Sequence, residues 1–96
     1  MTTIEEAIQM RNKIDVEAQV TGAKDERAVN LKDGSTTRVR DVTIKDDSGE
    51  MPLTLWGDDI DRVKVGDTVR VGNGYTNAFK GNISLAKGKY GTLEVV

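Results

Sequence analysis

The sequence predicts a small all-β domain, a five-stranded Greek-key barrel carrying two short helices. Apolar and polar residues alternate with a period of two in short stretches between Ile14 and Val95. Turn signals rich in glycine, aspartate and asparagine recur about every ten residues. A chain of 96 residues has room for one core, burying roughly 60 to 70 per cent of its unfolded surface. Residues 1–96 therefore read as a single domain, with a helix in 1–11 and the barrel in 13–96.

Thr3 and Glu6 have the spacing of a capping box, and Ile4, Ala7, Ile8 and Arg11 follow at helical intervals, so a helix is expected from Thr3 to about Arg11. Ile14, Val16, Ala18 and Val20 then alternate with polar residues as in a half-buried strand. Gly22 permits a sharp bend, and Ala28, Val29 and Leu31 continue in extended form up to a turn at "KDGS", 32–35. The stretch Thr37 to Lys45 contains a phase fault: Val39 lies on one face, Val42 and Ile44 on the other. A bulge near Arg40 and Asp41 would turn all three inward and free Arg38 and Arg40.

The turn "DDSG", 46–49, closes a hairpin onto Glu50 to Trp56, where Met51, Leu53 and Leu55 point one way and Pro52, Thr54 and Trp56 the other. Pro52, lacking an N–H, belongs where the ladder needs no donor. "GDDIDRV", 57–63, is a turn or two of helix offering Ile60 and Val63 to the core. Thr68 to Tyr75 turns Val69 and Val71 inward. Strict alternation would bury Tyr75, whereas a bulge at Gly72 and Gly74 would expose it, and parity alone does not decide. A hairpin through "TNAFKGN" leads to Ile83 and Leu85, "AKGKYG" reads as a loop, and Leu93 and Val95 close the last strand. A helix between the third and fourth main strands and a long curved first strand favour the OB-fold over an SH3-like barrel.

With no Cys and no His, the chain has no disulfide, no thiolate or imidazole metal site, no Cys nucleophile and no Ser-His-Asp triad. Asp58, Asp59 and Asp61 read as a solvated helix start rather than catalytic carboxylates. No catalytic residue, metal or cofactor is expected. No apolar run approaches a membrane span, and "MTTIEEAIQM" carries acids where a secretory signal is basic, so a cytoplasmic, nucleoid-associated protein is expected.

The net charge of −2 hides a strong segregation: −3 over residues 1–26, +3 over 27–45, −5 over 46–67 and +3 over 68–96. Binding follows the local field over a Debye length of about 10 Å, so two basic segments brought together by folding outweigh the total. Three of the four aromatic residues, Trp56, Tyr75 and Phe79, sit where a packed interior has no obvious claim on them.

The run "VRDVTIKDDSGEMPLTLWGDDIDRVKVGDTVRVGNGYTNAFKGNISL", 39–85, closely resembles the OB domains of archaeal single-stranded-DNA-binding proteins and of replication protein A. The likeness is strongest in "DDSGEMPLTLWG", "VGDTVRV" and "GYTNAFKGNISL", about half of the chain. It implies that bases stack on Trp56, Tyr75 and Phe79 with little sequence preference, in replication, repair or recombination. Phosphates would be held by Arg38, Arg40, Lys80 and Lys87, helped by Arg27, Lys32 and the polar Asn77, with the first four beside the aromatics. Some relatives carry an aromatic just after "SL", where this chain has Ala86; Tyr90, four residues on, is a further candidate base contact. The expected partners are single-stranded DNA and other OB-fold subunits or replication and repair proteins. The alternatives are a protein-interaction module of a replication protein A-like complex and an RNA-binding OB domain of the anticodon-binding type.

Overall fold

The computed structural model of the chain describes residues 2–79 and 81–96, with backbone alone at Phe79, Gly88 and Lys89. The alternating stretches form β1 (Ile14–Ala23), β2 (Arg27–Asn30), β3 (Thr36–Asp46), β4 (Gly49–Trp56), β5 (Thr68–Phe79) and β6 (Asn82–Val95), with helices α1 (Ile4–Ala7) and α2 (Asp59–Arg62). Pairing in the order β1-β5-β6-β4-β3, completed by β1 against β3, closes a ring of five strands, and β2 is added outside it on β3. All neighbours are antiparallel except β4 and β6. Closure leaves one inside and one outside, and the inside collects Ile14, Val16, Val20, Ile44, Leu53, Val69, Val71 and Leu85. Each such side chain stabilises the fold by roughly 1.5–3 kcal/mol. Among the described residues no helix is long and apolar enough to cross a membrane.

α1 has the expected capping box, but it ends at Ala7 rather than near Arg11. A helix this short does not hold itself together. Its first amides are satisfied from outside: Ile4 N–H donates to Asp46 (2.9 Å), Glu5 N–H to Ser48 Oγ (3.0 Å) and Glu6 N–H to Thr3 Oγ1 (3.2 Å). Beyond Ala7 the chain is drawn to the ring instead of continuing the helix. The carbonyls of Arg11 and Met10 accept from the Thr76 amide and hydroxyl, and Lys13 takes a positive φ of 55°.

Asp46 also binds the turn that follows it, accepting from Ser48 N, Ser48 Oγ and Gly49 N. This turn sets an uninterrupted register between β3 and β4, from Asp46 opposite Gly49 to Val39 opposite Trp56. The bulge expected at Arg40 and Asp41 is therefore absent. Val42 and Ile44 face inward, whereas Val39 is buried on the outer face, apart from the core cluster. The ladder from β4 to β6 begins at Leu53, one residue after Pro52.

The bulge that alternation left open in β5 is present. The register with β6 shifts between Gly72 and Gly74, and Asn73, with φ of 53°, donates its amide to Asp15 Oδ1 at 2.9 Å. Val71 and Gly74 are buried while Tyr75 faces out. On the partner strand Lys87 pairs with Gly74 and Thr92 with Gly72, so residues 88–91 are excess backbone opposite Asn73. The "AKGKYG" segment is thus an irregular part of β6 rather than a loop.

Two stability outcomes follow. Burial pushes the Asp46 carboxyl up, but the hydrogen bonds from Ser48, Ile4 and Gly49 together outweigh it and leave its pKa below the ordinary 3.8. A lowered carboxylate pKa stabilises the fold fully above the unfolded value, and that stability is lost as pH falls from about 3.8 through the lower folded-state value. Asp46→Ala should cost about 1–2 kcal/mol at neutral pH, by leaving the Ile4 amide without its acceptor, and should lessen the fall in Tm toward pH 3. Gly74→Val should cost about 1–3 kcal/mol in a denaturant titration, because a Cβ there meets the Ala86 carbonyl oxygen at 3.0 Å and Leu85 Cδ1 at 3.2 Å.

Candidate nucleic-acid interface

Register places the outward side chains in rows across the sheet. One row runs Arg27, Val39, Trp56 over β2, β3 and β4; the next runs Asp41, Thr54, Ala86, Tyr75 over β3, β4, β6 and β5; a third holds Thr43 and Pro52, with Ser84 and Asn77 further across. Trp56 and Tyr75 thus share one face, with β6 between their strands, about 10 Å apart across the sheet by strand spacing. Trp56 is 42% and Tyr75 38% exposed. Both rings therefore lie outside the core, on the outer face of the sheet. Ala86 is small and buried between them, which leaves a trough where a larger residue would stand.

A groove of about 500 Å³ lies on this face, with Val39 and Ile83 among its apolar walls and Lys24, Arg27, Asn77 and Ser84 among its polar ones. Trp56 is common to this groove and to a second hollow of about 300 Å³. There the ladder between β4 and β6 has ended after Thr54 and Ala86, and the buried Leu55 and Leu93 line the hollow beside Asp59 and Lys87. The indole ring is accessible from both.

The cations divide into two groups. Arg27 lies in the groove, its Nη1 3.5 Å from Asp41, and Lys24 joins it there. Lys87 is at the second hollow, with its Nζ 3.0 Å from Asp59, and Lys32 stands exposed in the turn between β2 and β3. Arg38 and Arg40 share the parity of Val42 and Ile44, opposite to that of Val39 and Trp56, so they are not beside the aromatics. Arg40 donates its Nε–H to the Lys24 carbonyl at 2.7 Å. Arg38 donates to Asp61 (2.9 Å), Glu26 (3.1 Å) and the Gly57 carbonyl (3.3 Å). Its hydrogen bond and charge hold Asp61 below the usual carboxylate range. Because Gly57 N–H donates back to the Arg38 carbonyl at 2.8 Å, this arginine clamps the backbone that follows Trp56.

Asn77 is exposed and in the groove. Tyr90 is 82% exposed on the irregular stretch of β6. The Phe79 side chain and Lys80 lie outside the described residues. Lys24, Val39 and Asp41 were missed as site residues in the sequence. The signal for the last two was the length of the 46–49 turn, which dictates what stands opposite Trp56 and Thr54. Among the described residues no cluster of acids is arranged to hold a metal ion.

Comparisons with known proteins bear on the family and the fold. A family model described as single-stranded DNA binding protein Ssb-like, OB fold, matches residues 5–95. The single-stranded DNA binding protein Ssb of Saccharolobus solfataricus is 33% identical over 75 residues, which are 78% of this chain and 50% of that protein. The chain thus spans about half the length of that relative. An OB domain from Thermoplasma acidophilum superposes with a TM-score of 0.82 at 23% identity, covering 99% of this chain and 85% of that one. The second OB-fold domain of replication protein A from Methanococcus maripaludis gives 0.75 at 23% identity, with 99% and 93% covered. These two likenesses establish the OB fold. With the family model spanning nearly its whole length, the chain belongs to the Ssb-like family of single-stranded DNA binding OB-fold proteins.

Proposed function

We propose that this domain binds single-stranded DNA by stacking bases on Trp56 and Tyr75, with little dependence on base order. The observation that carries the reading is that both rings stand exposed on one face of the sheet, with Trp56 lining a groove furnished with Lys24 and Arg27. Every base has a π face, so an aromatic platform accepts any of them, at about 1–3 kcal/mol per stacked base. Phe79 on the same strand is a third platform in this reading, and Lys80, Lys87, Lys32 and Asn77 supply phosphate and polar contacts around it. The role is passive: unpaired strands are covered and kept from re-annealing during replication, repair or recombination, without chemistry on the DNA, inside the cell. Two or three platforms give modest affinity, and tighter binding comes from joining this domain to other OB-fold domains or subunits.

Titration with labelled oligonucleotides should quench Trp56 fluorescence, and Trp56→Ala should weaken binding by about 1–3 kcal/mol with Tm near native. An unchanged emission spectrum at saturating oligonucleotide would remove Trp56 from the site. The slope of log K against log salt should become shallower by roughly 0.7 for each phosphate that a variant no longer neutralises. Lys24→Ala and Arg27→Ala should each show that change, and Arg38→Ala, committed to Asp61 and Glu26, should not.

A further inference from the structure

Resting on the reading above, we propose that Asp41 makes the base position at Trp56 selective, favouring bases that present an exocyclic amino group and disfavouring thymine. An anion in a groove for a polyanion costs affinity, so its placement calls for a compensating role. Asp41 lies diagonally from Trp56, two residues beyond Val39 on the same face of β3 and opposite Thr54. A base lying over Val39 against the indole ring therefore has Asp41 and Thr54 at its edge. Thr54 Oγ1–H donates to Asp41 Oδ1 at 2.8 Å, and Arg27 approaches Oδ2 at 3.5 Å. The carboxylate is oriented by both, yet its side chain remains 22% exposed.

A carboxylate only accepts hydrogen bonds, with room for about four. Thr54 uses one, and the long Arg27 contact leaves further lone pairs on a carboxylate that lines the groove. Cytosine offers its N4 amino group, the established partner of Asp and Glu in base recognition; adenine offers N6 and guanine N1 and N2. Thymine offers only N3–H, flanked by two carbonyl oxygens that meet the carboxylate lone pair to lone pair. Since this acts at one base position among several, the domain still accepts mixed sequence.

The test compares oligo(dC) and oligo(dT) of equal length by Trp56 quenching on the intact chain. Oligo(dC) should bind on the order of tenfold more tightly, and Asp41→Asn, whose amide can also donate, should bring the ratio close to one. An oligomer of N4,N4-dimethyl-2'-deoxycytidine, which has no amino hydrogen, should bind the unaltered protein like oligo(dT); this arm needs no variant to fold. A ratio near one in the unaltered protein, with full quenching by both oligomers, would overturn the selectivity alone. So would a tenfold ratio that persists in Asp41→Asn. Absence of quenching by either oligomer would overturn the stacking reading and this inference together.

Discussion

The Asp46 carboxylate is the interaction on which most of the interface depends. It takes amides from the turn it opens and from the start of α1, so one side chain fixes both the tight connection of β3 to β4 and the docking of the N-terminal segment. A turn of fixed length leaves one register, and a slip of one residue would carry every side chain of β4 to the opposite face. Trp56 is outside, over Val39, because Asp46 pairs with Gly49 at the other end of the same ladder. The second ring depends on a second acid in the same way. Asp15 accepts the Asn73 amide at the bulge, and if the same residues ran on without a bulge, strict alternation from Val71 would carry Tyr75 into the core.

These roles bear on how a chain of net charge −2 can suit a polyanion. Asp15, Asp46 and Asp67 accept backbone amides, and Asp59, Asp61, Glu17 and Glu26 pair with basic side chains. Much of the negative charge is thus committed to holding the ring and its helices. The formal sum counts these acids equally with the groove cations, whereas a ligand within a Debye length does not. Arginine is used in the same manner: Arg38 and Arg40 close backbone carbonyls at the ends of strands, a use that suits a planar guanidinium with several donors.

Much of this was legible in the sequence. The OB-fold, the capping box at Thr3, the inward faces of β1 and β4 and the outward Trp56 follow from period-two alternation and local turn chemistry. The bulge in β5 was half legible, since paired glycines permit it but only the Asp15 contact selects it. Two expectations failed for a common reason. The bulge assigned to Arg40 and Asp41 and the inward Val39 assumed that every valine in a strand seeks the core; here a second apolar surface, under Trp56, claims one. Arg38 was assigned to phosphate because single-strand reasoning sees its charge and not Asp61, 23 residues away. Lys24 carries no local signal, and it reaches the groove only because β1 bends at Gly22 and its end lies against β3.

The same register argument explains why the platform tolerates so little alternative wiring. Trp56 is the last residue of β4, where the backbone would be free to fray. Gly57, with φ of 57°, turns away at once, and its amide and carbonyl are both held by Arg38. Arg38 in turn is tied to α2 through Asp61 and to the segment before β2 through Glu26. A ring that is to stack on flat, interchangeable ligands gains from being held in place beforehand, because each side chain immobilised on binding subtracts roughly 0.5–1.5 kcal/mol from the interaction. The arginine that looked from its charge like a ligand for DNA thus fits better as part of the frame that keeps the indole ready.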